Sequence, residues 1–229
     1  MQQEVEQAQE VLTENLSEEK TLSLYELIMD GGIGGQIVMG VLFVMLAVAL
    51  YIYFERFFAI ASVSKTDVSF MSQIKDQVVN GRIEGARSLC AQNNSPEARL
   101  IEKGISRIGK PLEDINTAIE SAGTLEVYKL EKNTSVLATI AGAAPMIGFL
   151  GTVIGMILAF HEMATSGGQA EMGSLANGIY TAMTTTVGGL IVGIIAYIAY
   201  NHIVVKTNKV VHKMEAKAVE FLDLLNEPM

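Results

Sequence analysis

The chain has 229 residues, half of them hydrophobic and 18% charged, with a net charge of −9, one cysteine and no tryptophan. Soluble domains carry about 25% charged residues. Here the shortfall is concentrated, since no Asp, Glu, Lys or Arg occurs in Gly31–Phe54, Asn133–Phe160 or Met172–Val205. Each gap exceeds the ~20 apolar residues that a helix needs to cross a bilayer. A soluble single domain, a disulfide-stapled module and a disordered chain are therefore excluded, and the acidic balance excludes nucleic acid as a partner.

In chain order, residues 1–20 are acidic, rich in Gln and without apolar periodicity, and they do not read as a secretory leader. Thr21–Asp30 then places Leu24, Leu27 and Ile28 on one helical face before a glycine stop at 31–35. This is either an amphipathic helix on the outer interface or a cap on the first span, and together they form an N-terminal segment over 1–35.

The first span, 36–54, is bulky and aliphatic, with Tyr51, Tyr53, Phe57 and Phe58 as an aromatic belt at one edge. It carries nothing that could do chemistry. Glu55 and Arg56 follow as an interfacial anchor. Residues 55–132 read as a loop of short helices over Val68–Asn80, Ile83–Gln92, Pro96–Ile108 and Leu112–Lys132, separated by Gly, Asn and Pro turns. The last of these meets no break signal before the second span, which predicts one continuous rod. The lone Cys90 reads as a small buried or surface thiol.

The second span, 133–160, puts Ala141, Pro145, Gly148, Thr152, Gly155 and Ala159 on one stripe, with Gly151 in the same helix. A hairpin over 161–173 leads to the third span, 174–203, whose stripe is Gly178, Ala182, Thr185, Gly189, Gly193 and Ala196, with Thr181, Thr184 and Gly188 beside it. Small residues at this spacing let helices approach closely in lipid, and Pro145 can kink its helix and free a carbonyl. Residues 204–229 extend the third span as a helix. Thr152 and Thr186 fall near the middle of their spans. The hydroxyls of Thr181, Thr184, Thr185 and Thr186 either bond back to their own helix or line a polar path with Thr152.

Lys and Arg decide the orientation. One lies in 1–35, eleven in 55–132, none in 161–173 and four in 206–229. The N-terminus is therefore expected outside, the 55–132 loop and the tail inside, and the 161–173 hairpin outside. No span holds an ionisable carboxylate, Lys or Arg, so if the protein helps to move protons, the group that carries them must come from another chain. Nothing in the sequence forms a nucleophile–base pair, a phosphate loop, a cofactor cradle or a metal cluster, so no enzyme is expected.

Pro145-Met-Ile-Gly-Phe-Leu-Gly-Thr-Val-Ile-Gly155 and Gly178-Ile-Tyr-Thr-Ala-Met-Thr-Thr-Thr-Val-Gly-Gly-Leu190 resemble the second- and third-span motifs of the ExbB/TolQ/MotA proton-channel family. Three spans with an outside N-terminus are similar to ExbB and TolQ rather than to four-span MotA. The resemblance implies an all-α inner-membrane homo-pentamer around a central pore, holding single-span ExbD-like partners whose aspartate carries the proton. A TonB-like protein would pass the work to outer-membrane transport. Thr152 and Thr186 match the family's pore threonines, while Thr181 stands where many members have a glutamate. A TolQ-type role in envelope maintenance, a non-conducting membrane scaffold and a small transporter remain open beside the ExbB-type reading.

Overall fold

The computed structural model describes residues 32–63, 69–165 and 172–226. The expected interfacial helix over Thr21–Asp30 and the tip of the 161–173 hairpin lie outside the described residues. All regular structure among the described residues is helical. In chain order the helices are α1 (Gly32–Val63), α2 (Phe70–Val79), α3 (Ile83–Gln92), α4 (Pro96–Ile105), α5 (Leu112–Leu130), α6 (Thr134–Thr165) and α7 (Met172–Asn226).

Three segments are long and apolar enough to cross a membrane: Gly34–Val63, Thr134–Thr165 and Gly178–Asn226. In each, an unbroken apolar run supports a helix whose backbone groups are satisfied internally, as lipid demands. The protein is therefore an all-α, multi-pass membrane protein. At 55 residues, α7 is a single helix about 80 Å long.

Two structural units divide the described residues, one formed by those in 32–41 and 147–189 and the other by those in 42–146 and 190–226. In the second unit, α2 to α5 form a small bundle whose core includes Ile74, Ala86, Cys90, Ile101, Ile115 and Ile119. The far end of α7 joins it, because Phe221 is fully buried and sits over Gly104 beside Ile119. A methyl built on Gly104 would lie 2.6 Å from the Phe221 ring and 2.9 Å from Ile119 Cδ1.

Local chemistry sets the bundle's boundaries. Ser95 caps α4 by accepting the Ala98 N–H at 3.1 Å, with Pro96 at the first helical position, where its missing N–H costs nothing. Gly81 and Gly109 take positive φ at the turns after α2 and α4. The helix expected to run to Ile108 stops at Ile105, because the N–H groups of Arg107 and Ile108 turn back to the carbonyls of Gly104 and Ile105.

The predicted rod from α5 into the second span is broken. α5 ends at Leu130, α6 begins at Thr134, and Asn133 adopts φ +61° between them. Asn is one of the few residues that tolerates the left-handed region, so the break signal is a single asparagine without any glycine or proline.

In the same unit, α1 buries Leu42, Ala49, Ile52 and Ile60 and exposes Phe43, Val44, Tyr51, Phe54 and Phe58. Of the expected aromatic belt, Tyr53 and Phe57 turn inward to α7. The Tyr53 hydroxyl bonds His202 Nδ1 at 2.9 Å, and Lys206 Nζ stands 3.6 Å from the Phe57 ring centre.

Arg56, expected to be an interfacial anchor with Glu55, is instead 8% exposed. It pairs with Glu55 and donates to the Lys129 carbonyl at 3.3 Å, so it clasps α1 to the end of α5. Close by, Glu126 is 4% exposed and is bridged by Arg99 at 2.5 Å and Lys129 at 2.7 Å.

Candidate channel seam

Within the first unit, α6 and α7 meet along their small residues. A methyl on Gly148 would sit 2.7 Å from the Thr185 carbonyl oxygen and 3.0 Å and 3.1 Å from the Cα atoms of Gly189 and Thr186. Added methyls would also meet Thr185 from Gly151, Ala182 from Gly155 and Ala159 from Gly178, each at 2.8 Å or less. Backbone-to-backbone approach of this kind is what small residues permit where lipid supplies no hydrophobic drive between helices.

The second unit continues the pattern between Pro145 and Gly193. Pro145 has no N–H to give the Ala141 carbonyl, and that oxygen faces Gly193, 3.2 Å from where a side chain would start. Pro145 therefore sits inside α6 without interrupting it.

The close approach brings three threonine hydroxyls around two carbonyls. Thr185, 1% exposed, donates to Ala182 O at 2.7 Å or to Gly148 O at 3.1 Å. Thr186 reaches Gly148 O at 3.2 Å. Thr152 reaches Ala182 O at 3.2 Å and Gly148 O at 3.4 Å, and its hydroxyl also contacts that of Thr186.

Each hydroxyl has one proton to donate and two lone pairs. Carbonyls only accept, so the Thr152–Thr186 contact consumes a proton from one of the two and leaves lone pairs able to accept from water or an acid. Both residues are half-buried. Beside Thr152 a shallow groove runs along α6 past Val153, Met156, Ile157, Phe160 and His161. Hydroxyls cannot hold charge at neutral pH, so this cluster can pass a proton along but cannot store one.

The five threonines singled out by the sequence thus divide. Thr152 and Thr186 meet at the half-open edge of the seam. Thr185 is locked between the two helices. Thr184 bonds the Tyr180 carbonyl one turn back, at 3.1 Å. Thr181 lies on α7, with its side chain outside the described residues. Gly188 is half-buried and Gly189 buried on the same helix.

Sequence reasoning missed the Arg56, Arg99, Glu126 and Lys129 clasp, whose members lie on three helices; the i,i+3 spacing of Glu126 and Lys129 was its one signal in the sequence. There burial raises the Glu126 carboxyl, and hydrogen bonds from Arg99 and Lys129 outweigh it, so its pKa lies below the ordinary value of 4.5. Burial, with Glu102 nearby, pushes the Cys90 thiol up to about 12, which keeps it protonated and unreactive. No group of three or more His, Cys, Asp or Glu residues that could hold a metal ion occurs among the described residues.

Comparison with known proteins converges on the same helices. The profile of the MotA/TolQ/ExbB proton channel family matches residues 92–216. The Tol-Pal system protein TolQ of Pseudomonas aeruginosa is 33% identical over 115 residues, covering 50% of this chain and 49% of its own. The biopolymer transport protein ExbB of Helicobacter pylori is 38% identical over 79 residues, covering 34% and 54%. An ExbB-like protein of Synechocystis is 29% identical over 168 residues, covering 72% and 78%.

The matched stretch thus spans about half the length of the TolQ and ExbB relatives. The profile covers α4, α5, α6 and most of α7, which includes every residue of the threonine seam. The chain belongs to the MotA/TolQ/ExbB proton channel family.

Proposed function

We propose that this chain is an ExbB-type subunit of a proton-driven motor in the bacterial inner membrane. With an ExbD-like single-span partner, it would use the proton motive force to energise TonB-dependent outer-membrane transport. The observation that carries the reading is the Thr152–Thr186 hydroxyl pair, held across α6 and α7 at a half-open edge in spans that contain no Asp, Glu, Lys or Arg. Such a pair can relay a proton only if another chain brings the acid. The groove beside Thr152 is where a partner's helix and its aspartate would lie.

In this reading five copies surround the partner helices. The N-terminus and the α6–α7 hairpin lie outside, and the α2–α5 bundle lies inside with the basic tail, as the Lys and Arg distribution favours. Thr181, where the family's glutamate is common, leaves a path of hydroxyls and water and no carboxylate of the chain's own. The driving force is about 2.3 kcal/mol per charge per 100 mV. No bond-making or bond-breaking catalysis is part of the proposal, and no cofactor. A TolQ-type subunit is the second reading, favoured by the 33% identity to the Pseudomonas protein.

Native mass of the detergent-purified complex tests the assembly, with the chain expressed alone and then with the single-span protein encoded beside its gene. A pentamer that takes up one or two copies of an Asp-bearing partner is expected. A monomer or dimer that binds no such partner contradicts the motor and leaves the scaffold or small-transporter readings. A neighbouring TolA-like rather than TonB-like gene would transfer the chain to the TolQ reading.

A further inference from the structure

A groove of about 590 Å³ lies in the other unit, between α5 and the far end of α7. Leu100, Ile119 and Met214, all buried, contribute its apolar floor, and Glu120, Glu131 and Glu215 line it as well. Tyr128 and Val219 also line it, yet are 75% and 56% exposed. Apolar surface left open and rimmed by polar groups marks an interaction site.

The charge in the groove has one sign. Among the described residues no Lys or Arg lines it or pairs with the three carboxylates. Glu120 accepts from the Asn116 amide at 2.9 Å, and Glu215 meets His212 Nδ1 at 3.2 Å. Val211, Met214, Ala218 and Leu222 of α7 face the groove, and the helical period then puts Lys209, Lys213 and Lys217 on the opposite side. Carboxylates over an apolar floor suit Lys and Arg, whose alkyl stems cover apolar surface while their charged heads stay at its edge. A single-span membrane protein carries such residues within about 15–20 positions of the cytoplasmic end of its span.

We propose that this groove docks the basic cytoplasmic flank of the single-span partner. Its Lys and Arg heads would meet Glu120, Glu131 and Glu215, and its apolar side chains Tyr128 and Val219. The inference rests on the motor reading, in which the membrane part of α7 ends near Lys206, the first Lys of that helix. The groove begins at Val211, about 8 Å further along the helix. An extended flank of about 15 residues covers that distance several times over.

The test is photo-crosslinking in the complex purified with the single-span protein encoded beside the gene, using Tyr128→p-benzoylphenylalanine. The variant should link to the partner within that flank, as mapped by mass spectrometry. Val79→p-benzoylphenylalanine, at an exposed site on α2 outside the groove, should not. Adding Glu120→Gln/Glu131→Gln/Glu215→Gln should lower the yield about fivefold, as loss of three exposed ion pairs does, with the native mass unchanged. All three glutamates are exposed, so the fold should stand, and raised salt should lower the yield as well. A cross-link to a second copy or elsewhere on the partner, no cross-link to a partner that the native mass shows bound, or an undiminished yield in the triple variant overturns the docking site and leaves the motor reading standing. A complex that holds no single-span partner overturns both.

Discussion

The α6–α7 seam and the α2–α5 bundle solve the same problem, polar groups away from water, with opposite chemistry. In the seam three threonine hydroxyls share the Gly148 and Ala182 carbonyls, and no charge is present. In the bundle a charged cluster does the work, with Glu126 bridged by Arg99 and Lys129. The difference follows from the solvent each sequence is written for. A full charge at the centre of a bilayer is costly and is kept only where it functions. A hydroxyl can be paid for by its own helix. The seam is therefore held by close backbone approach and fine hydrogen bonding, the bundle by ion pairs and an aliphatic core.

Substitutions should expose this contrast, beginning with the seam's backbone contact. Gly148→Val should cost about 3 kcal/mol and lower the melting temperature by several degrees, because what its side chain meets is backbone of α7 that cannot rotate away. Gly142→Ala, with nothing within 4 Å of the added methyl, should leave stability unchanged or raise it by up to about 1 kcal/mol. Equal melting of the two variants would show that the close approach is not what holds α6 to α7.

In the bundle, Glu126→Ala should cost about 2 kcal/mol, less than for a fully buried pair because Arg99 and Lys129 are partly solvated. The pH dependence carries a sign. The folded-state pKa of Glu126 lies below the ordinary carboxylate value, so its contribution is present above about pH 4.5 and is lost as the pH falls toward the folded-state value. Acid unfolding, followed by circular dichroism from pH 7 to pH 3, should be shallower in Glu126→Gln than in wild type. An identical slope would remove the clasp from the account.

Smaller effects test the remaining contacts. Asn133→Ala should cost about 1 kcal/mol more than Asn133→Gly, because both lose the Asn133 side-chain hydrogen bond to Glu55 and only the left-handed backbone at this break separates them. Thr185→Val should cost about 0.5–1 kcal/mol. Its two carbonyl partners are not left bare, since Thr152 and Thr186 reach the same oxygens.

Much of this was legible in the chain. Three charge-free runs announced three long helices, and the small-residue stripes marked the faces on which α6 and α7 meet, because lipid leaves packing and hydrogen bonding to select that face. What stayed hidden depended on tertiary pairing or on one residue's backbone. Arg56 read as an interfacial anchor because its partner carbonyl at Lys129 is 73 positions away. The break at Asn133, where the backbone turns left-handed, stayed hidden because no Gly or Pro announced the turn. The threonines were visible as a group, but only the geometry separates Thr152 and Thr186, at the half-open edge, from Thr185, which is sealed.

Proton flux into liposomes reads the proposed path through the Thr152–Thr186 pair. The chain would be reconstituted with its Asp-bearing single-span partner, and flux driven by a potassium diffusion potential. Wild type should conduct, while Thr152→Val and Thr186→Val should each reduce flux to the leak level with the native mass of the complex unchanged. Wild-type flux in both variants would contradict the account and leave the seam as packing alone.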